Sequence, residues 1–216
     1  MLPRISYPQC VRWYCAYCLS YRDIEEMMKE RGIDVDHSTL NPWVLKFLPL
    51  LEEAFHKRKR RPGGRVRFDE TYFMVKGKWK YLYRAVDKEG NTIDFLLTAS
   101  RDRTAAKRFL KKMIKRNGKP GLINIDKSGA NKAGINDFNC EYNCRIKIRQ
   151  CKYLNNGAEQ DHRFVNRKMK HALGYESFVT ARKTIAGLEL WKILKKGQTK
   201  LGGNQSPVEL FYGLAA

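Results

Sequence analysis

No apolar run in this sequence reaches the ~18 residues that a membrane-spanning helix requires. The opening residues, MLPRISYPQCVRWYC, contain no apolar segment followed by small residues, so we expect no secretory signal peptide. The sequence also has no internal repeat and no low-complexity tract. We therefore expect a cytoplasmic globular protein without a membrane partner.

Acidic residues are scarce, since 22 Asp and Glu stand against 43 Lys and Arg and leave a net charge of +21. A charge this lopsided requires a polyanionic partner or a negatively charged surface. The chain has enough hydrophobic residues for a core (43%) and is rich in aromatics, so nucleic acid is the favoured partner. Ribosomal and RNA-binding proteins share this composition, so charge alone indicates only the class of partner.

The chain has six cysteines, and in the cytoplasm these thiols would be reduced. Two spacings, Cys15-x-x-Cys18 and Cys140-x-x-x-Cys144, are compatible with halves of a zinc site. Cys15 and Cys18, however, recur at helical spacing with Val11, which favours thiols packed in a core. We therefore favour structural cysteines over a zinc site.

Helical periodicity dominates residues 8 to 56. Ser20-x-x-Asp23 predicts a capping box at the start of a second helix, and Gly32 predicts its end. Short helices joined by a brief turn in a basic protein suggest a helix-turn-helix region, which would occupy residues 1 to 56.

A basic segment, HKRKRRPGGRVR, follows these helices and is the clearest linker in the sequence. Its run of cations ends in Pro62-Gly63-Gly64, a combination that interrupts regular structure, and we place the linker at residues 57 to 65. A charge run is usually a solvated surface, but between two modules of a basic protein it favours phosphate contact. The predicted phosphate contacts are Lys57, Arg58, Lys59, Arg60 and Arg61.

After the linker the pattern becomes alternating and strand-like. Three β-branched and aromatic segments, RVRFDETYFMV, KWKYLYRAV and TIDFLLTA, are separated by turn sequences and predict antiparallel strands. A helix, a fourth strand, another helix, a fifth strand and terminal helices follow. This succession predicts an α/β domain over residues 66 to 216, with a mixed sheet flanked by helices, as in the ribonuclease H-like fold.

Two carboxylates occupy unusual places in the predicted strands. Asp69 lies in the middle of the first strand, and Asp126 ends the apolar fourth strand. A charged residue in so apolar a strand is unfavourable unless it is paired or binds a metal ion. If the first and fourth strands are neighbours, the two carboxylates face each other at the edge of the sheet where ligands sit. A third acid, Glu159, lies near the start of a later predicted helix, at the edge of its apolar stripe.

Three carboxylates around one point repel one another unless cations neutralise them. Hard oxygen ligands select Mg²⁺ or Mn²⁺, and two such ions ~3.5–4 Å apart can promote phosphoryl displacement. The alternative is that each acid is an ordinary surface or salt-bridged residue. Strand position supports Asp69 and Asp126, whereas the pattern alone leaves Glu159 open.

Longer strings of the sequence indicate a family. VRWYCAYCLSYRDIEEMMKERGIDVDHST, RFDETYFMVKGKWKYLYRAVDKEGNTIDFLLTASRD, NIDKSGANKAGIN and KYLNNGAEQDHRF closely resemble bacterial transposases of the insertion sequence six family. The resemblance implies a helix-turn-helix and a ribonuclease H-like catalytic domain. It also implies an Asp-Asp-Glu triad, made of Asp69, Asp126 and Glu159, that holds two Mg²⁺ or Mn²⁺ ions.

The activity implied by the resemblance is metal-dependent cleavage at the terminal inverted repeats of an insertion sequence. The freed 3′-hydroxyls are then joined to target DNA, with a cointegrate as the usual product. The implied partner is double-stranded DNA, bound by a homodimer or a larger assembly at the bacterial nucleoid. The helix-turn-helix would read the DNA at His37, Ser38 and Thr39.

Two departures from the family pattern lie close to the third acid of the triad. The family carries a Lys or Arg seven residues after the catalytic Glu, and this chain has Asn166 there. Gly157 stands before the acid where a bulkier residue is common. The neighbouring cations predicted to contact DNA are Arg163, Arg167 and Lys168.

A third departure is Pro42 in the DNA-reading segment. Proline either disrupts a helix that has begun at Asp36 or starts a helix that Asn41 caps. These departures also fit a degenerate copy with reduced activity. The rival functions are a non-catalytic DNA-binding remnant and a nuclease for RNA–DNA hybrids, the latter fitting the triad but not the helix-turn-helix.

Overall fold

The computed structural model describes residues 6–58, 64–151, 165, 167, 175, 177–199 and 205–215. In chain order, the described elements are α1 (Ser6–Ala16), α2 (Tyr21–Lys29), α3 (His37–Arg58), β1 (Arg65–Val75), β2 (Lys78–Val86), β3 (Thr92–Thr98), α4 (Arg103–Asn117), β4 (Leu122–Ile125), α5 (Gly129–Glu141), β5 (Lys147–Gln150), α6 (Phe178–Lys195) and α7 (Pro207–Ala215). In that part of the chain, no helix is both long and apolar enough to cross a membrane.

Contacts divide the chain into two compact units, residues 1–60 with 165–216 and residues 61–164. The first unit contains α1, α2, α3, α6 and α7, and the second contains the sheet with α4 and α5. The C-terminal helices thus pack with the N-terminal ones. The assignment of residues 1–56 to DNA binding and of residues 66–216 to one catalytic domain remains a prediction.

The start of α2 confirms the predicted capping box. The Asp23 backbone N–H donates to Ser20 Oγ at 3.1 Å, and the Ser20 N–H donates to Asp23 Oδ2 at 2.7 Å. Ile24 and Met28 on the apolar stripe are buried. Gly32 follows with a φ of 70°, a backbone conformation that glycine adopts without strain.

The helix α3 differs from both expectations for Pro42. It runs without a break from His37 to Arg58 and contains Pro42 and Pro49 inside it. Each proline lacks the N–H that would close one turn and is unfavourable by about 3 kcal/mol in a helix interior. Packing outweighs this loss, since α3 contacts α1 and α6 along a buried face. That face consists of Leu40, Val44, Leu48, Leu51 and Phe55.

The sheet has the strand order β3-β2-β1-β4-β5. The first three strands pair antiparallel, β4 runs parallel to β1, and β5 runs parallel to β4. This is the strand order of the ribonuclease H-like fold, so the predicted fold class is confirmed. The mixed sheet follows from the connections, since tight turns join the antiparallel strands and helices join the parallel ones.

The helices α4 and α5 pack on the sheet around an aromatic stack. Phe109 of α4 lies 5.1 Å from Phe68 of β1, centroid to centroid, and both rings stack with Tyr83 of β2. The two helices approach closely at Gly134, where an added Cβ would lie 2.8 Å from the Ala106 Cβ. The helix α5 begins at Gly129, three residues after Asp126.

Candidate active site

The two aspartates predicted from strand position lie at the same level of neighbouring parallel strands. The last paired residues of β1 and β4 are Arg67 and Asn124. Asp69 and Asp126 each lie two residues further along their chains. Because neighbouring strands lie ~4.8 Å apart, the two residues emerge side by side at the carboxyl end of β4. The condition set by the sequence, that the first and fourth strands be neighbours, is therefore met.

Asp126 is held by the N-terminus of α5. The Ser128 backbone N–H donates a 2.9 Å hydrogen bond to Asp126 Oδ1. Ser128 is also the N-cap of α5, and its hydroxyl accepts from the Asn131 backbone N–H at 3.4 Å. The N-terminus of a helix favours negative charge, so this position suits a carboxylate.

A third carboxylate near this edge, Glu70, was missed by the sequence reasoning. Its side chain is only 4% exposed, forms an ion pair with Arg101 and accepts a 2.6 Å hydrogen bond from Asn131 Nδ2. Burial raises the pKa of Glu70, and the nearby negative charges of Asp126 and Asp69 add to the rise. The hydrogen bond from Asn131 and the charge of Arg101 oppose it.

A signal for Glu70 was present in the strand alternation. Residues two apart on a strand share a face, so Glu70 lies on the face of Val66 and Phe68, both buried. In the string DETY, the family resemblance assigns a role to Asp69 and none to Glu70. Glu70 is thus a buried acid beside the site. Its charge is balanced by the hydrogen bond from Asn131 and by Arg101.

A buried cation, Arg84, lies directly across the sheet from Asp69. The two residues are partners in the antiparallel register of β1 and β2, which places their side chains on the same face. Arg84 is fully buried, and its Nη2 donates to Thr92 Oγ1 at 3.0 Å. The sequence pattern did not single out Arg84 either, because β2 contains other cations, Lys78 and Lys80, at similar positions.

The third predicted member of the triad, Glu159, lies outside the described residues, as do Gly157 and Asn166. The same holds for several of the predicted DNA contacts, namely Lys59, Arg60, Arg61, Arg163 and Lys168.

The other predicted phosphate contacts are described. Arg167 is an exposed helical residue. Lys57 lies in the last turn of α3, exposed, with Nζ 3.3 Å from Glu53 Oε1. Arg58 is the last residue of α3.

The predicted base-reading residues His37, Ser38 and Thr39 form the first turn of α3. His37 Nδ1 lies 2.8 Å from Glu25 Oε2, and the Ser38 N–H donates to Asp36 Oδ1 at 2.6 Å. Ligand atoms of Glu25, Asp36 and His37 lie within 4.8 Å of one another, as a metal site would require. Hydrogen bonds at the start of the helix account for this cluster without a metal ion.

Comparison with known proteins gives matches over most of the chain. Residues 63–198 match the family model of the DDE domain of IS240-type transposases. Transposases for the elements IS431mec and IS257 of transposon Tn4003, both from Staphylococcus aureus, are each 40% identical over 197 residues. Those alignments cover 88% of this chain and 85% of each relative.

Solved structures give weaker matches. The catalytic core domain of HTLV-2 integrase, in complex with magnesium, is 16% identical with a TM-score of 0.48. That match covers 66% of this chain and 97% of the integrase chain. The catalytic core domain of BIV integrase has a TM-score of 0.45 at 16% identity, covering 69% of this chain and 94% of that chain.

Proposed function

This chain belongs to the DDE-domain transposases of the insertion sequence six family, and we propose from that membership that Asp69, Asp126 and Glu159 form its catalytic triad. The chain is a DNA transposase, an enzyme that cleaves and joins DNA strands. The observation that supports the triad best is the equivalent position of Asp69 and Asp126 on neighbouring strands. Glu159 takes its role from the resemblance of the AEQDH string alone.

The carboxylates fit hard divalent cations. Oxygen donors of this kind select Mg²⁺ or Mn²⁺, and we assign two such ions to the triad. Burial is the main cause of the raised pKa of Glu70, and the negative charges of Asp126 and Asp69 add to it, so acidic charge is concentrated at this edge of the sheet. A divalent ion between the aspartates would neutralise that charge. When bound, the ions supply activation of a water or a 3′-hydroxyl and stabilisation of the leaving oxygen.

The residues around the aspartates hold them in position and supply favourable charge. Ser128 holds one oxygen of Asp126 through its backbone N–H, and the first turn of α5 favours the negative charge. Arg84 places a positive charge on the face of Asp69. Arg101 balances Glu70, so this extra acid does not compete for the site. The scissile phosphate would then enter where Asp69 and Asp126 emerge side by side.

The substrates we propose are the terminal inverted repeats of an insertion sequence and a target duplex, with a cointegrate as product. The net charge of +21 supports a polyanionic substrate. We assign sequence reading to His37, Ser38 and Thr39 at the start of α3. Phosphate contacts are assigned to Lys57, Arg58, Lys59, Arg60, Arg61, Arg163, Arg167 and Lys168. Joining two DNA ends requires a homodimer or larger assembly, acting at the bacterial nucleoid.

A strand-transfer assay with candidate inverted-repeat DNA tests the triad. Asp69→Asn, Asp126→Asn and Glu159→Gln should each abolish transfer in Mg²⁺ or Mn²⁺ while leaving DNA binding intact. Glu89→Gln is the matched control, because Glu89 is an exposed acid in the β2–β3 turn. Transfer retained in one triad variant removes that residue from the triad. No transfer by the wild type, with DNA binding preserved, favours the alternative of a non-catalytic remnant.

A further inference from the structure

The β1–β2 hairpin extends beyond the rest of the sheet. β3 pairs with β2 only as far as the Tyr81–Thr98 pair, and β4 pairs with β1 only as far as Arg67. Residues 72–80 therefore form a two-stranded ribbon that no described strand flanks. Lys76 and Gly77 make its turn with φ angles of 49° and 70°. Positive φ at both positions is the geometry of a tight hairpin turn, which keeps the two strands paired to the tip.

This ribbon carries large apolar side chains in solvent. Tyr72 is 63% exposed, Trp79 is 52% exposed and Met74 is 46% exposed. They share one face, since Met74 and Trp79 are register partners and the Tyr72 and Trp79 rings meet edge to face at 5.1 Å. Closer to Phe68 the same face is covered by α4. An exposed cluster of this kind marks a binding surface.

Positive charge lies at the tip of the ribbon, next to these aromatic side chains. Lys76 is exposed in the turn, and Lys78 is exposed beside it on the opposite face, as the register partner of Val75. No Asp or Glu occurs between Thr71 and Val86. Two copies of the ribbon meeting around a two-fold axis would bring these lysines together, which is unfavourable. A polyanion has the complementary charge. The ribbon's other face is buried at Phe73 and Val75, so a duplex would lie along the exposed face and the tip.

We propose that the ribbon of residues 72–80 is a DNA-contacting surface of the transposase. It places Lys76 and Lys78 on phosphates and Tyr72 and Trp79 against the groove of the bound duplex. This inference rests on the proposed function only in that the substrate is double-stranded DNA. It does not depend on the triad, because contact by the ribbon requires no metal ion.

Salt dependence of binding tests the lysines. Affinity of the full chain for a fluorescein-labelled duplex of mixed sequence is measured in EDTA over a range of salt concentrations. The logarithm of affinity falls with the logarithm of salt by ~0.9 for each phosphate contact. Lys76→Gln with Lys78→Gln should therefore make the slope shallower by about 1.8. The matched control is Lys111→Gln with Lys115→Gln, an equal loss of charge from the exposed side of α4.

Trp79 gives a second readout, because Trp13 and Trp191 are buried and Trp43 is half-buried. Acrylamide quenching of the wild type should fall when the unlabelled duplex is added, and this protection should be lost in Trp79→Phe. Equal slopes in the two lysine pairs, or unchanged protection in Trp79→Phe, overturn the proposal. The proposal is also overturned if a ribbon variant (the Lys76/Lys78 pair or Trp79→Phe) dissociates an oligomer of the DNA-free protein, seen as a lower mass in light scattering. That result would make the ribbon a contact between copies of the chain. The active site is tested separately by the triad variants, which should lose strand transfer and keep the wild-type salt dependence of duplex binding in EDTA.

Discussion

Asn131 Nδ2 donates a 2.6 Å hydrogen bond to Glu70 Oε2 and so connects the start of α5 to the middle of β1. The Asn131 backbone N–H donates to Ser128, whose own N–H donates to Asp126. A continuous series of hydrogen bonds therefore links Asp126 to Glu70, the chain neighbour of Asp69. These bonds hold the β4–α5 connection in position relative to β1.

Asn131→Ala should destabilise the protein by about 1.5–3 kcal/mol, because it removes a hydrogen bond to a buried carboxylate. Asn131 is itself fully buried, so water cannot replace the lost donor without a rearrangement. Urea denaturation measures the change in the free energy of unfolding. Asn136→Ala is the control, since Asn136 is exposed on the same helix, and equal losses in the two variants would contradict the role given to Asn131.

Gly134→Ala should also destabilise the protein, by about 1–3 kcal/mol, because overpacking forces backbone to move. The new Cβ would lie 2.8 Å from the Ala106 Cβ and 2.9 Å from the Arg103 carbonyl oxygen. Neither atom belongs to a flexible side chain. Thermal unfolding should show the loss for Gly134→Ala and no loss for Gly129→Ala, where an added Cβ meets nothing within 4 Å. A stable Gly134→Ala variant would show that α4 and α5 are packed less closely than described.

The fold and the site were predictable to different degrees, for physical reasons. Partial alternation in β1, the β-branched and aromatic residues of β2 and β3, and the apolar run of β4 predicted the sheet, because such residues fit half-buried and buried strands. The continuous α3 was not predictable from Pro42 and Pro49, since a long-range contact with α6 stabilises it. The positions of Glu70 and Arg84 beside the aspartates were not predictable, because they depend on long-range contacts, with Asn131 for Glu70 and with β1 for Arg84.

Acid should destabilise the protein partly through Asp102, the N-cap of α4. Hydrogen bonds from the Ser100 hydroxyl and the Ala105 backbone N–H hold the pKa of Asp102 below its ordinary value of 3.8. A folded-state pKa below the unfolded one contributes stability that is present above pH 3.8 and is lost as pH falls through the folded value. The melting temperature of Asp102→Asn should therefore fall less steeply in acid than that of the wild type. Identical acid profiles would contradict this assignment.

The effect of divalent ions on stability should distinguish metal ligands from ordinary salt-bridged acids at Asp69 and Asp126. In EDTA, each variant loses repulsion of the buried Glu70 but also loses a favourable interaction, with the Ser128 N–H at Asp126 or with the positive charge of Arg84 on the face of Asp69. These effects oppose each other, so both variants should be about as stable as the wild type. In Mn²⁺ the wild type should be the more stable protein. A ligand that binds only the folded state stabilises it by about 2.7 kcal/mol at 100 times its dissociation constant, and the variants should lose most of that gain.

An ordinary salt bridge would not produce a difference in stability that appears only in Mn²⁺. If Asp69 serves only to neutralise Arg84, Asp69→Asn leaves a buried cation uncompensated and lowers the melting temperature in EDTA and in Mn²⁺ alike. Differential scanning calorimetry of the wild type and the two variants, with Glu89→Gln as control, separates these outcomes. Wild-type stability that does not change with Mn²⁺ would contradict metal binding at the aspartates, whatever the result of the strand-transfer assay.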